Sequence, residues 1–192
     1  MSNRRKPKEQ GPRLDGILDN GIDWKSRTVW IVGELSEEKA YRYLPGIRLL
    51  DESVGPIRVV IMSQGGNEGG GFALFDTLQS LKNVVTTYGF GHVYSIAALV
   101  FQAGNTRMLA PSCELMMHNG SVTLEGGDVN TDYIEELAAE AIRNNARYHK
   151  AIATRSNLDL QKVVQWCKDE KYLSAEAAVA EGLADGLVKD WK

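Results

Sequence analysis

From Arg27 onward, short runs of β-branched and aromatic residues alternate with longer stretches whose apolar positions recur at helical spacing. Thr28 to Gly33 (TVWIVG) predicts a buried strand ending at glycine. Ser36, followed by Glu37 and Glu38, predicts a capped helix running toward Leu50, which Pro45-Gly46 is expected to kink or divide. A turn at Gly55-Pro56 leads into a second strand, Ile57 to Met62 (IRVVIM). After Ser63-Gln64-Gly65-Gly66 and the further glycines 69, 70 and 71, residues Phe72, Phe75, Leu78 and Leu81 line one helical face. Val84 to Tyr88 predicts a third strand, followed by Gly89-Phe90-Gly91. Ser95 then opens a helix of small apolar residues. Thr106 to Leu109 and Glu114 to Met117 predict two short strands, and Asp128 to about Arg155 a long helix. Asn157 is placed to cap a helix reaching Cys167, and Ser174 to cap a last one stopping at Gly182.

Strands alternating with helices imply βαβ units with right-handed parallel winding, hence one α/β domain over residues 27–192 without internal repeats. Residues 1–26 are expected to form a flexible segment, basic at its start (Arg4, Arg5, Lys6, Lys8, Arg13) and lacking the apolar stretch of a signal peptide. The long helix suits either a surface position against the sheet or a protruding element that packs on another subunit. His149, within it, reads as a surface residue.

Composition narrows the classes. The 192 residues suffice for a sizeable core, and 43% apolar with 24% charged residues is ordinary globular composition. A net charge of -3 gives no reason to expect nucleic acid as a partner, and no apolar run approaches the ~18 residues of a membrane span. The two cysteines, Cys113 and Cys167, have no metal-ligand spacing around them. No metal or other cofactor is expected, and a reducing, cytoplasmic compartment fits.

Ser95 is the leading candidate for chemistry. A serine at a helix start can present its hydroxyl while the next amide, Ile96, points at a developing oxyanion; it can equally be an ordinary N-cap. Gly65-Gly66 directly follows a strand, and one of its amides would make a second oxyanion donor, although a loop uses such a pair too. Of the histidines, His118 ends a predicted strand, where parallel sheets expose catalytic groups, and His92 lies three residues before Ser95. Asp169 and Glu170 are both available to orient an imidazole, or simply to sit in a solvated charge cluster.

The strand followed by SQGG, then HVYSIAALVFQAG, ELMMHNG and DEKYLSAEAAVAEGLAD, together resemble the Clp protease proteolytic-subunit family from about Arg27 to Val188. The resemblance implies a ClpP/crotonase-like fold of repeated βαβ units with a long protruding handle helix. It implies a serine endopeptidase with Ser95 as nucleophile, His118 as base and the Gly66 and Ile96 amides as oxyanion hole. Anchoring on Tyr172-Leu173-Ser174-Ala175 puts the third acid at Glu170, where the family normally has aspartate; Asp169 is the one-residue alternative. By resemblance the substrate is a peptide or unfolded protein, and the assembly a homo-oligomer of stacked heptameric rings. The family's aromatic sockets for an ATP-driven unfoldase are altered here, with Arg58, Val60 and Ser80 at those positions, which argues against that partner. Two other readings share the sequence features: an acyl-CoA enzyme on the related crotonase-like fold, and a catalytically silent ring subunit.

Overall fold

A computed structural model describes residues 20–122 and 130–190 of the chain. In order, the elements are β1 (Ile22–Asp23), β2 (Thr28–Val32), α1 (Glu37–Asp51), β3 (Ile57–Ser63), α2 (Glu68–Gln79), β4 (Val85–Tyr94), α3 (Ile96–Phe101), β5 (Thr106–Leu109), β6 (Glu114–Met117), α4 (Thr131–Thr154), α5 (Leu160–Lys168), β7 (Lys171–Ser174), α6 (Ala175–Ala180) and β8 (Gly186–Leu187). The main sheet runs β1-β2-β3-β4-β5-β8. All its pairings are parallel except β1 with β2. This is the mixed α/β architecture that the alternation predicts.

The unit begins earlier than expected. Ile22 is buried, pairs with Val29, and precedes Arg27, so at least this stretch of the supposed flexible segment belongs to the sheet. The basic residues before it lie outside the described residues. Pro45 does not divide α1, which is continuous from Glu37 to Asp51. A proline inside a helix costs ~3 kcal/mol. Burial of Tyr43, Ile47 and Leu50 on one face, worth about 1.5–3 kcal/mol each, outweighs that cost.

The third strand is also longer than its sequence pattern. It continues through Gly89-Phe90-Gly91, and its pairing with β3 shifts register between Ile61 opposite Gly89 and Ser63 opposite Val93. Gly91, at φ 63, sits within that irregularity. A bulge bends the strand that carries it. The two halves of β4 accordingly have different neighbours: Thr86 to Gly89 pair with β5, and His92 to Tyr94 with β6. The chain is thereby delivered, at Ser95, to the carboxyl end of the sheet between β3 and β6.

Helix α3 explains itself by burial. Ile96 to Phe101 are apolar on every side and all at most 3% exposed. Such a helix belongs inside a core rather than on a surface. It gives the residue preceding it a rigid mount. The 24-residue α4 is the opposite case, roughly 36 Å long at the usual helical rise. Its buried residues, Tyr148, His149 and Ile152, all lie toward its C-terminal end. Tyr133, Ile134 and Ile142, farther up, are exposed. Among the described residues the fully buried part of this helix is its base, and His149 is part of that base, not a surface residue.

Candidate active site

Ser95 occupies a backbone conformation that few non-glycine residues adopt, φ 57 and ψ −130. Holding it there costs on the order of 1–3 kcal/mol, which the surroundings must over-determine. They do so from two sides. The Ser95 amide donates to Met116 O at 2.9 Å, continuing the β4–β6 ladder, and the Tyr148 hydroxyl, from the base of α4, donates to Ser95 O at 3.1 Å. The hydroxyl of Ser95 makes no capping bond to α3. Instead Oγ lies 2.8 Å from His118 Nε2. The ordinary capping role therefore does not account for this serine.

Gly65 makes the approach possible. A Cβ at this position would fall 2.7 Å from Ser95 Cβ and 2.9 Å from Tyr94 O, and Gly65 itself has φ 97. Gly66 forms a parallel bridge with Leu35. The Leu35 amide donates to Gly65 O and the Asn67 amide donates to Leu35 O, both at 2.8 Å. Since successive backbone groups in an extended chain point to opposite edges, the Gly66 N–H faces away from Leu35. Ile96 contributes the first amide of α3, which has no carbonyl one turn earlier to bond. Among the described residues neither amide has a hydrogen-bond partner. Gly65, Gly66, Ser95 and His118 line one open cleft of about 470 Å³, together with Glu34 and Glu68.

The acid is not brought into contact. Among the described residues His118 Nδ1 has no hydrogen-bond partner. Asp169 ends α5, and its carboxylate accepts from Gln165 Nε2 at 2.9 and 3.0 Å. Glu170 is exposed and has φ 51. The antiparallel register nevertheless distinguishes the two. Met117 pairs with Lys171 at the end of that ladder, so His118 and Glu170 are the residues directly beyond its last pair, with Asp169 one residue farther along the chain. His92 lies in β4 with its ring tilted at 39° to that of Tyr94, 5.1 Å away, and among the described residues the Ser95 hydroxyl bonds His118 and not His92.

Sequence reasoning missed the residues that support this pair. Tyr148 lies in a stretch of α4 that reads as polar, and only tertiary packing brings its hydroxyl to Ser95. His149 Nε2 lies 2.9 Å from Asn119 Oδ1, next to the candidate base, while the Asn119 amide donates to Cys167 O. Burial first, and then the charge of Lys168, hold the His149 imidazole below its ordinary pKa. Its neutral form is thus favoured in the fold. As pH falls below about 6.5, the unfolded chain gains a proton that the folded one resists, so stability is lost on acidification. His149→Asn is expected to flatten the fall in Tm below about pH 6.5, as read by thermal melts at a series of pH values.

A model of the Clp protease family matches residues 21–190. The ATP-dependent Clp protease proteolytic subunit of Ligilactobacillus salivarius (strain UCC118) is 26% identical over 187 residues, covering 95% of this chain and 92% of that protein. The subunit of the same name from Leuconostoc citreum (strain KM20) is 26% identical over 168 residues, covering 85% and 84%. With the family's match spanning nearly all of the described fold, the chain belongs to the Clp protease family.

Proposed function

We propose that the protein is a serine endopeptidase that hydrolyses peptides and unfolded chains by acyl transfer from Ser95. The observation that carries this reading is the 2.8 Å contact between Ser95 Oγ and His118 Nε2, beside two unspent amides. Ser95 attacks the scissile carbonyl while His118 takes its proton and later returns it to the leaving amine. The Gly66 and Ile96 amides stabilise the tetrahedral oxyanion, each worth roughly 100- to 1000-fold in rate. Water then releases the acyl group. An acyl-CoA enzyme would need only the amide pair, and the serine–imidazole contact favours the peptidase.

We assign the third position to Glu170, on the strength of the β6–β7 register. Its carboxylate would hold the imidazole in the tautomer with a proton on Nδ1 and stabilise the cation formed during attack. Hydrolysis of a fluorogenic peptide by the purified chain, without nucleotide, tests the assignment. Glu170→Gln should lower kcat by roughly 10²- to 10⁴-fold, whereas Asp169→Asn should stay close to wild type. The reverse order would move the acid to Asp169, and no hydrolysis by the wild type would remove the peptidase reading.

The same reading includes a homo-oligomeric, stacked-ring assembly in the cytoplasm. Its support is the protruding part of α4, whose Tyr133, Ile134 and Ile142 are exposed in the single chain and suit burial against another subunit. An ATP-driven unfoldase on the usual aromatic sockets is not part of it. Val60 is only 1% exposed, Arg58 puts a charge beside it on β3, and Ser80 is a small polar side chain.

A further inference from the structure

Resting on the Ser95 peptidase reading, we infer that the cleft selects substrates with a lysine or arginine beside the cleaved bond, through Glu68. Glu68 opens α2, where an acid at a helix start has an ordinary electrostatic reason to be. That reason does not dictate where the carboxylate points. Here it reaches across to the segment following the candidate base: a Cβ on Gly120 would collide with Glu68 Oε1. Gly120, held by its amide donating to Asn145 Oδ1 at 2.8 Å, leaves the space that the carboxylate fills.

Two adjoining hollows share this carboxylate. One is the cleft of about 470 Å³ that holds Ser95 and His118; besides Glu68 it is lined by a second carboxylate, Glu34, and by no lysine or arginine. The other, about 250 Å³, lies between Glu68 and residues 137–144 of α4, before its buried base, with aliphatic walls from Leu137, Ala141 and Val122 and a second carboxylate, Glu140. No hydrogen bond or ion pair engages the Glu68 carboxylate among the described residues. A hollow whose wall mixes aliphatic residues with unpaired carboxylates suits a side chain with a methylene stem and a cationic head. A leucine or methionine in that place would desolvate Glu68 without compensation. A substrate cation restores the lost interaction.

Peptidyl diphenyl phosphonates separate this inference from the reading beneath it. In the reaction Ser95 Oγ bonds to phosphorus, a phenoxide leaves, and the serine proton passes through His118 to give phenol. Rates are followed by intact mass on the full chain, with probes that differ only in a lysine-like or a leucine-like side chain. The wild type should react with the lysine-like probe about tenfold faster or more, and Glu68→Gln should reduce that ratio by about tenfold. Equal or inverted rates in the wild type would overturn the inference without recourse to any variant. A uniform loss with both probes in Glu68→Gln would also overturn it, because it would mark a structural role. An alkyl fluorophosphonate, which has no side chain to select, reports on Ser95 alone: if it fails to label the wild type, the peptidase reading falls and this inference with it.

Discussion

Replacing His118 by alanine is expected to lower kcat for peptide hydrolysis by roughly 10⁴- to 10⁶-fold. Ser95 Oγ has one imidazole within hydrogen-bond reach, at 2.8 Å, and without it the hydroxyl must attack at its unperturbed basicity. His92, in β4 with its ring against that of Tyr94, makes no hydrogen bond to Ser95 among the described residues and is not expected to substitute. Because His118 is half-buried at a strand end and bonds only Ser95 among the described residues, its truncation should leave Tm little changed. Loss of turnover with an intact melting transition would be the expected pair of results. Turnover within tenfold of wild type would show that another group serves as base.

Gly65→Ala should be nearly as damaging to turnover by a different route. The added methyl would meet Ser95 Cβ at 2.7 Å and Tyr94 O at 2.9 Å, both inside ordinary contact distance, and position 65 has φ 97, where L residues are strained. Ser95 itself is already held at an unfavourable φ by its neighbours, so the cheaper relief is displacement of the serine or of the Gly65-Gly66 segment. A misplacement of about 1 Å at a reacting centre costs on the order of 100-fold. Both oxyanion geometry and nucleophile position would suffer together, so kcat/KM should fall by about 100-fold or more while His118 remains in place. Steady-state kinetics on the variant check this; a change under threefold would mean that the strand and serine are not packed as tightly as described.

The elements closest to the chemistry were legible because they are local patterns. The run IAALVFQAG read as a helix of small apolar residues, and its burial in the structure makes the residue at its start a fixed one. The strands ending before Ser63 and at Met117 were equally plain, which placed the glycine pair and His118 at the carboxyl edge of the sheet. What the pattern could not supply is long-range packing. Pro45 was expected to interrupt a helix that the burial of Ile47 and Leu50 keeps whole. Gly89-Phe90-Gly91 had the composition of a loop and is instead the bulged middle of β4, a conformation imposed by its partners β3, β5 and β6.

The base of α4 was hidden for the same reason. Tyr148 and His149 sit among Asn144, Asn145, Arg147 and Lys150, so their neighbours suggest solvent, yet one bonds the Ser95 carbonyl and the other Asn119, the residue after His118. Glu170 shows a different limit. Motif alignment points to the position, which lies just beyond the last β6–β7 pair, but one extra methylene relative to aspartate changes where the carboxylate ends, which no pattern of residues can specify.

The central claim, that Ser95 is a nucleophile activated by His118, is tested most directly by covalent labelling with an alkyl fluorophosphonate followed by intact-mass measurement. The account predicts one adduct per chain in the wild type, none in Ser95→Ala, and strongly slowed labelling in His118→Ala. An adduct that persists in Ser95→Ala, or a wild type that stays unlabelled while folded, would contradict it.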